Sequence, residues 1–154
     1  MIEVNERIEV TSSPQAVWAI LSDPSAVVDC VEGATLGEKQ EDGSFNAKLT
    51  VKFGPARVAF AANVLVEYDE PNKSGNVTAR GKDGISGTKF RTTMHFKVEG
   101  EDAQLQTAIP IKAECELAGR LSNLIESGAN LVIKRMTASF AEKLAERCGG
   151  AKAS

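Results

Sequence analysis

The sequence predicts an α+β fold, a sheet with two short helices near its start and one long helix at its end. Three observations predict it. Two proline-led apolar segments lie between Pro14 and Gly33. From Ala34 to Ala113, runs of apolar–polar alternation are separated by turn residues. From Leu117 to Arg147 the apolar period becomes helical. A sheet with a long helix laid across its open face tends to enclose a space, and an apolar space suits a small apolar molecule.

Each element has its own signal. Ile2, Val4, Ile8 and Val10 share one phase of a strand, and Glu6 falls on that same inward phase. Glu6 is an edge carboxylate reaching water, or a polar anchor in a cavity whose burial would raise its pKa. Ser13-Pro14 supplies a hydroxyl cap followed by a residue that needs no amide partner. Val17, Trp18, Ile20 and Leu21 then form a buried face, with Trp18 as plain core or, second, as pocket lining. Ser22-Asp23-Pro24 repeats the start signal, and Gly33 ends a second short helix carrying Val27, Val28 and Cys30.

The strand runs follow. Phe45 to Phe53 alternates until Gly54-Pro55, and Val58 to Val66 alternates up to Asp69-Glu70-Pro71-Asn72. Val77, Ala79 and Gly81 form a strand with small inward residues, and Phe90 to Val98 forms another. Leu105, Thr107, Ile109 and Ile111 close the set, with Pro110 on the other phase, as an edge strand allows. Ala47, Ala62, Ala79 and Gly81 sit among phenylalanines, leaving room that helix side chains, water or a ligand must fill. On the last helix, Leu121, Leu124, Ile125, Gly128, Leu131, Val132 and Met136 read as one broad stripe, continued by Phe140 and Leu144. Glu114 and Glu116 before it and Lys143 and Arg147 at its end suit the helix dipole. Gly128 in mid-helix reads equally as close packing on a strand or as a gap over a cavity.

Composition narrows the class. At 154 residues the chain suits one domain, residues 1–148, with 149–154 as a disordered tail. No apolar run approaches the ~20 residues of a membrane span. The first residues lack a signal peptide pattern, so the expected location is the cytoplasm. With 18 basic and 21 acidic residues spread along the chain and a net charge of −3, no concentrated basic surface is evident and nucleic acid is not expected. Cys30, Cys115 and Cys148 lack CxxC spacing, and with a single histidine they make no zinc site. All three are expected reduced, Cys30 and Cys115 packed and Cys148 in a fraying tail.

Catalytic signals are missing. His95 faces outward on its strand, so no Ser-His-Asp or Cys-His centre forms around it. Gly81, Gly84 and Gly87 lie between two strands rather than between strand and helix, so they are no dinucleotide fingerprint. They read as a flexible hairpin connection or lid. The acidic pairs Glu41-Asp42, Asp69-Glu70 and Glu101-Asp102 read as solvated hairpin tips. No metal, cofactor or catalytic residue is assigned.

The run Ser13-Pro14 to Trp18, then Asp23-Pro24-Ser25-Ala26-Val27 to Cys30 and Gly33, resembles the carbon monoxide dehydrogenase G-subunit (CoxG) family of the START-like, SRPBCC superfamily. Val51-Lys52-Phe53-Gly54-Pro55 is similar to that family's VKxGP strand-turn motif, and Leu121, Leu124, Lys134-Arg135, Phe140 and Leu144 sit at similar positions on the last helix. The resemblance implies a helix-grip fold, a curved antiparallel sheet of about seven strands wrapped round the C-terminal helix. It also implies a hydrophobic tunnel and an accessory role beside molybdenum hydroxylases, including their membrane recruitment. Cys30-Val31-Glu32-Gly33 departs from the family's Cys-Leu-Pro-Gly. Some members carry a C-terminal membrane tail, which is not expected after Gly149-Gly150-Ala151-Lys152-Ala153-Ser154.

Three functional readings follow. The first is a non-enzymatic carrier of a lipophilic ligand, quinone- or isoprenoid-like, lined by Val27, Cys30, Phe60, Met94, Leu124, Gly128 and Val132 and serving a molybdenum hydroxylase. The second is a polyketide cyclase- or aromatase-like enzyme with Glu6 or Arg135 as its polar cavity residue. The third is a docking protein whose Lys48, Lys52 and Arg57 meet an acidic partner or the inner face of a membrane.

Overall fold

A computed structural model describes residues 1–101, 103 and 105–148. The proposed tail at 149–154, and Asp102 of one acidic pair, lie outside the described residues. The elements run β1 (Ile2–Val10), α1 (Pro14–Leu21), α2 (Pro24–Asp29), β2 (Ala34–Lys39), β3 (Phe45–Phe53), β4 (Ala56–Asp69), β5 (Ser74–Asp83), β6 (Lys89–Lys97), β7 (Glu99–Glu101), β8 (Gln106–Ala118) and α3 (Ser122–Arg147). The strand order is β1-β8-β6-β5-β4-β3-β2, all antiparallel, with three-residue β7 paired to β8 beside that path. This is the predicted α+β architecture.

Capping chemistry sets the small helices. The Ser13 hydroxyl accepts from the Ala16 amide at 3.1 Å, and the Asp23 carboxylate accepts from the Ser25 amide at 3.0 Å, each just ahead of a first-turn proline. Gly33, at φ +81°, then turns the chain into β2, where a Cβ would lie 2.3 Å from the Thr50 carbonyl oxygen. Only glycine passes there.

Three expectations need correction. Alternation in β8 continues through Ala113, Cys115 and Leu117, so Glu114 and Glu116 belong to the strand's outer face and are not dipole partners of α3. The helix begins only after Gly119, at φ +134°, has turned the chain. β8 is also an interior strand between β1 and β6. Pro110 is tolerated because β6 pairing stops at Ile111 and β7 pairing begins at Ala108, so its missing amide falls in the gap between them. Finally, the apolar stripe of α3 is not single. Ile125, Ala129 and Val132 are buried in its first half and Leu144 and Ala145 in its last turns, while Leu131 is 81 % exposed. Twelve residues at 100° each turn the buried face by about 120° between Val132 and Leu144.

That rotation matches two separate apolar cores. One gathers Ile8, Val10, Val17, Trp18, Leu21, Phe96, Val98, Ile109, Leu144 and Ala145 at the end carrying α1 and α2. The Trp18 ring meets Tyr68 edge-on at 5.9 Å there, so Trp18 is core. Cys148 packs against this core instead of fraying. The other core gathers Val51, Phe53, Val58, Phe60, Ile125 and Val132 near the β3–β4 turn.

The β5–β6 connection is tied down, contrary to a flexible lid. Buried Asp83 accepts from the Ser86 amide at 2.7 Å, the Ser86 hydroxyl at 2.6 Å and the Ala59 amide at 3.2 Å. Thr88, also buried, accepts from the Leu121 amide at 3.0 Å and so joins this turn to the start of α3. The Ser86 hydroxyl and amide hold the Asp83 carboxyl below its ordinary range. A depressed native pKa contributes stability that is complete above the unfolded value of about 3.9 and is lost as pH falls through the native one. Asp83→Asn is therefore expected to unfold at a lower temperature than the parent at pH 7. The two melting temperatures should converge as pH drops below about 4 in a calorimetric series.

Candidate functional site

The register places rows of side chains across the concave face of the sheet, the face turned to α3. One row runs Phe45–Val64–Ala79–Thr92–Cys115–Ile2, and the next runs Val66–Val77–Met94–Ala113–Val4. Most of these residues are neither buried nor freely exposed. Val64, Val66, Val77, Ala79, Thr92, Met94, Cys115, Ile2 and Val4 are all partly open, although they lie on the inward phase. A packed sheet–helix interface would bury them as Val58 and Ile109 are buried, at 0 % and 1 % exposure. The closest approaches of α3 are to β1, β3 and α1. The helix thus meets the sheet at its flanks, and the partly open residues of the two rows lie between these contacts, with Val77 packed against the first core and Ile2 against the second.

Helical geometry gives the other wall. Ile133, Met136 and Phe140 recur at i, i+3 and i+7, all half-buried, with Met136 against the second core and Phe140 against the first. The two sheet rows are apolar apart from Thr92 and Cys115, adjacent across β6 and β8. Burial pushes the Cys115 thiol up, and a hydrogen bond from Thr92 acts in the opposite sense. Burial likewise raises Cys30 and Cys148. All three cysteines are free.

Glu6 closes one flank. Its side chain is 12 % exposed, and its carboxylate accepts from Lys134 Nζ at 2.8 Å, a bridge from β1 to the outer side of α3. Arg135 is exposed. His95 is exposed, as expected, with Nδ1 at 2.9 Å from Asn76 Oδ1. Among the described residues no group of three His, Cys, Asp or Glu could hold a metal ion, and no helix is long and apolar enough to cross a membrane.

The seven residues proposed as lining do not converge on one spot. Met94 sits in the middle of the concave face. Val27 packs against the first core and Cys30 is fully buried at the end of α2. Phe60 and Val132 are buried in the second core, with the Phe60 ring edge-on to Phe90 at 5.0 Å. Gly128 lies against Phe53, whose ring would be 3.4 Å from an added Cβ, which is close packing on a strand. Leu124 is 37 % exposed on the flank of α3. Gly81 leaves no room either, because a Cβ there would meet the Phe90 ring at 2.7 Å. Val64, Thr92 and Cys115, outside the seven, share the concave face with Met94.

A long helix gripped by a curved antiparallel sheet is an arrangement shared with known proteins. The carbon monoxide dehydrogenase G-subunit (CoxG) family model matches residues 7–148. The chain belongs to the CoxG family. No curated protein sequence matches it significantly. Among solved structures, this CoxG chain is similar to a conserved protein from Geobacillus kaustophilus, with a TM-score of 0.82 and 19 % identity, covering 96 % of this chain and 95 % of that one. It is also similar to an aromatase/cyclase from a Streptomyces species, with a TM-score of 0.62, 13 % identity and coverage of 96 % and 93 %. A START superfamily protein from Mycobacterium smegmatis matches with a TM-score of 0.58, 17 % identity and coverage of 96 % and 97 %. At these identities the likeness is one of fold, and it is the START-like, helix-grip fold.

Proposed function

We propose that this CoxG chain carries a small lipophilic ligand, quinone- or isoprenoid-like, between the concave face of the sheet and α3, as an accessory to a molybdenum hydroxylase of the CO dehydrogenase type. The observation that supports this is the belt of half-open apolar residues, Val64, Ala79 and Met94, on the concave face of the central strands. Of the residues first expected to line the site, Met94 keeps some exposure on the concave face, and Phe60 and Val132 would form the floor at the second core. Burying about ten methylenes would supply ~8 kcal/mol gross. Association costs several of these, which suits reversible carriage.

Carriage is favoured over catalysis because the two polar candidates are poorly placed for chemistry. Glu6 is engaged by Lys134, and Arg135 is exposed to solvent. The family name supports a hydroxylase partner, and the exposed cations Lys48 and Lys52, with Arg57 opposite Lys52, on the outer faces of β3 and β4 are the proposed contact to it or to a membrane. Native mass spectrometry of protein purified without detergent is the test. Mass in excess of the chain, released by organic extraction and identified as an apolar compound, is expected. A chain that stays at its bare mass and retains no added menadione or farnesol would overturn the carrier reading.

A further inference from the structure

The convex face, turned away from α3, carries a second feature independent of the lumen. A groove of about 570 Å³ runs over β4, β5, β6 and β8, with Arg80, Lys82, Lys89 and Arg91 around it and Ala61 and Ala118 among the small residues beside them. Its size falls in the range of small-molecule sites. Register fixes the cations in two like-charge pairs, Arg80 directly opposite Arg91 and Lys82 directly opposite Lys89. Like charges in direct cross-strand pairs destabilise a sheet. In a chain of net charge −3 this crowding is a local arrangement and not a consequence of composition.

Among the described residues no ion pair neutralises the four. The ion pairs there involve the N-terminus, Arg7, Lys134 and Arg147, and none of these cations. Glu116 is the single carboxylate at the groove, opposite Arg91 across β6 and β8, and exposed Asp42 feels the charge of Arg80. Opposed residues on neighbouring strands lie about 5 Å apart, and alternate residues along a strand about 7 Å. Four cations therefore sit within the span of two or three linked phosphates. A lone carboxylate would satisfy only one of them. Two guanidinium forks add bidentate geometry, which matches phosphate oxygens.

We propose that this groove binds a ligand bearing clustered phosphate groups. The free ligand and the headgroup layer of an anionic membrane share that chemistry, and the test separates them. Titration calorimetry with inorganic triphosphate at low salt is expected to show saturable binding, weakened at least tenfold by Arg80→Gln/Arg91→Gln. The binding should be unchanged by Lys97→Gln, which lies at the far end of β6, beyond the groove. Removing the like-charge pair should leave the melting temperature of the free protein equal or higher, and Lys82→Gln/Lys89→Gln serves as a second variant should the first not fold. Triphosphate silence together with sedimentation on phosphatidylglycerol vesicles, lost in the same variants, assigns the site to a lipid surface. If neither triphosphate nor vesicles bind, or if binding survives both double variants, the proposal is wrong.

Discussion

Leu144→Ala is expected to lower the unfolding free energy by about 2–5 kcal/mol, the cost of deleting a fully enclosed leucine that the surroundings cannot refill. Leu144 has no exposure and ties the last turns of α3 to the core built by Trp18, Val17 and Ile109. For a chain of this length each kcal/mol moves the melting temperature by roughly 2–4 °C, so the drop is large in a thermal scan. Leu131→Ala is the internal control. That side chain is 81 % exposed, and its loss should stay within about 0.5 kcal/mol. Comparable effects at the two positions would mean that α3 does not grip the sheet in the way described.

The second large effect separates an open interior from a filled one. Ala79 lies mid-row between Val64 and Thr92 on the concave face, half-open. A phenylalanine there is expected to occupy the space and to weaken retention of an added apolar ligand at least tenfold, with the melting temperature held or raised. In a solid interior the same substitution would overpack the core, and overpacking typically costs about 1–3 kcal/mol. Binding and stability are thus read from one variant. Loss of stability with ligand retention intact is the outcome that denies the space.

Much of this was legible in the residues because it is local. Ser13-Pro14 and Asp23-Pro24 announce helix starts through side-chain acceptors placed beside a residue without an amide. The strand phases from Phe45 to Val66 appear in the structure unchanged. What failed to be legible is what depends on how one element is set against another. Pro110 looks like an edge residue until the pairing of β8 with both β6 and β7 is known. Gly81 looks like vacancy until the Phe90 ring, one strand over, is seen to fill it. Leu131 looks like core because periodicity reports a stripe and not which wall the stripe meets at each end of a long helix. The basic groove escaped for the same reason. Arg80 and Arg91 stand on consecutive strands, and only the β5–β6 register sets them face to face.

The site followed the same division. Phe60, Val132 and Cys30 do point inward, but inward does not distinguish core from lumen. That distinction is set by where α3 touches the sheet. Its contacts with β1 and β3 flank the central strands, and the small or partly open residues on those strands mark the interval.

Xenon binding reports on that interval without any knowledge of the natural ligand. In crystals equilibrated under xenon pressure, the gas should occupy a site bounded by Val64, Ala79, Met94 and the Met136–Phe140 face of α3. Crystals in which these side chains are in mutual contact and xenon finds no place between sheet and helix would contradict the account.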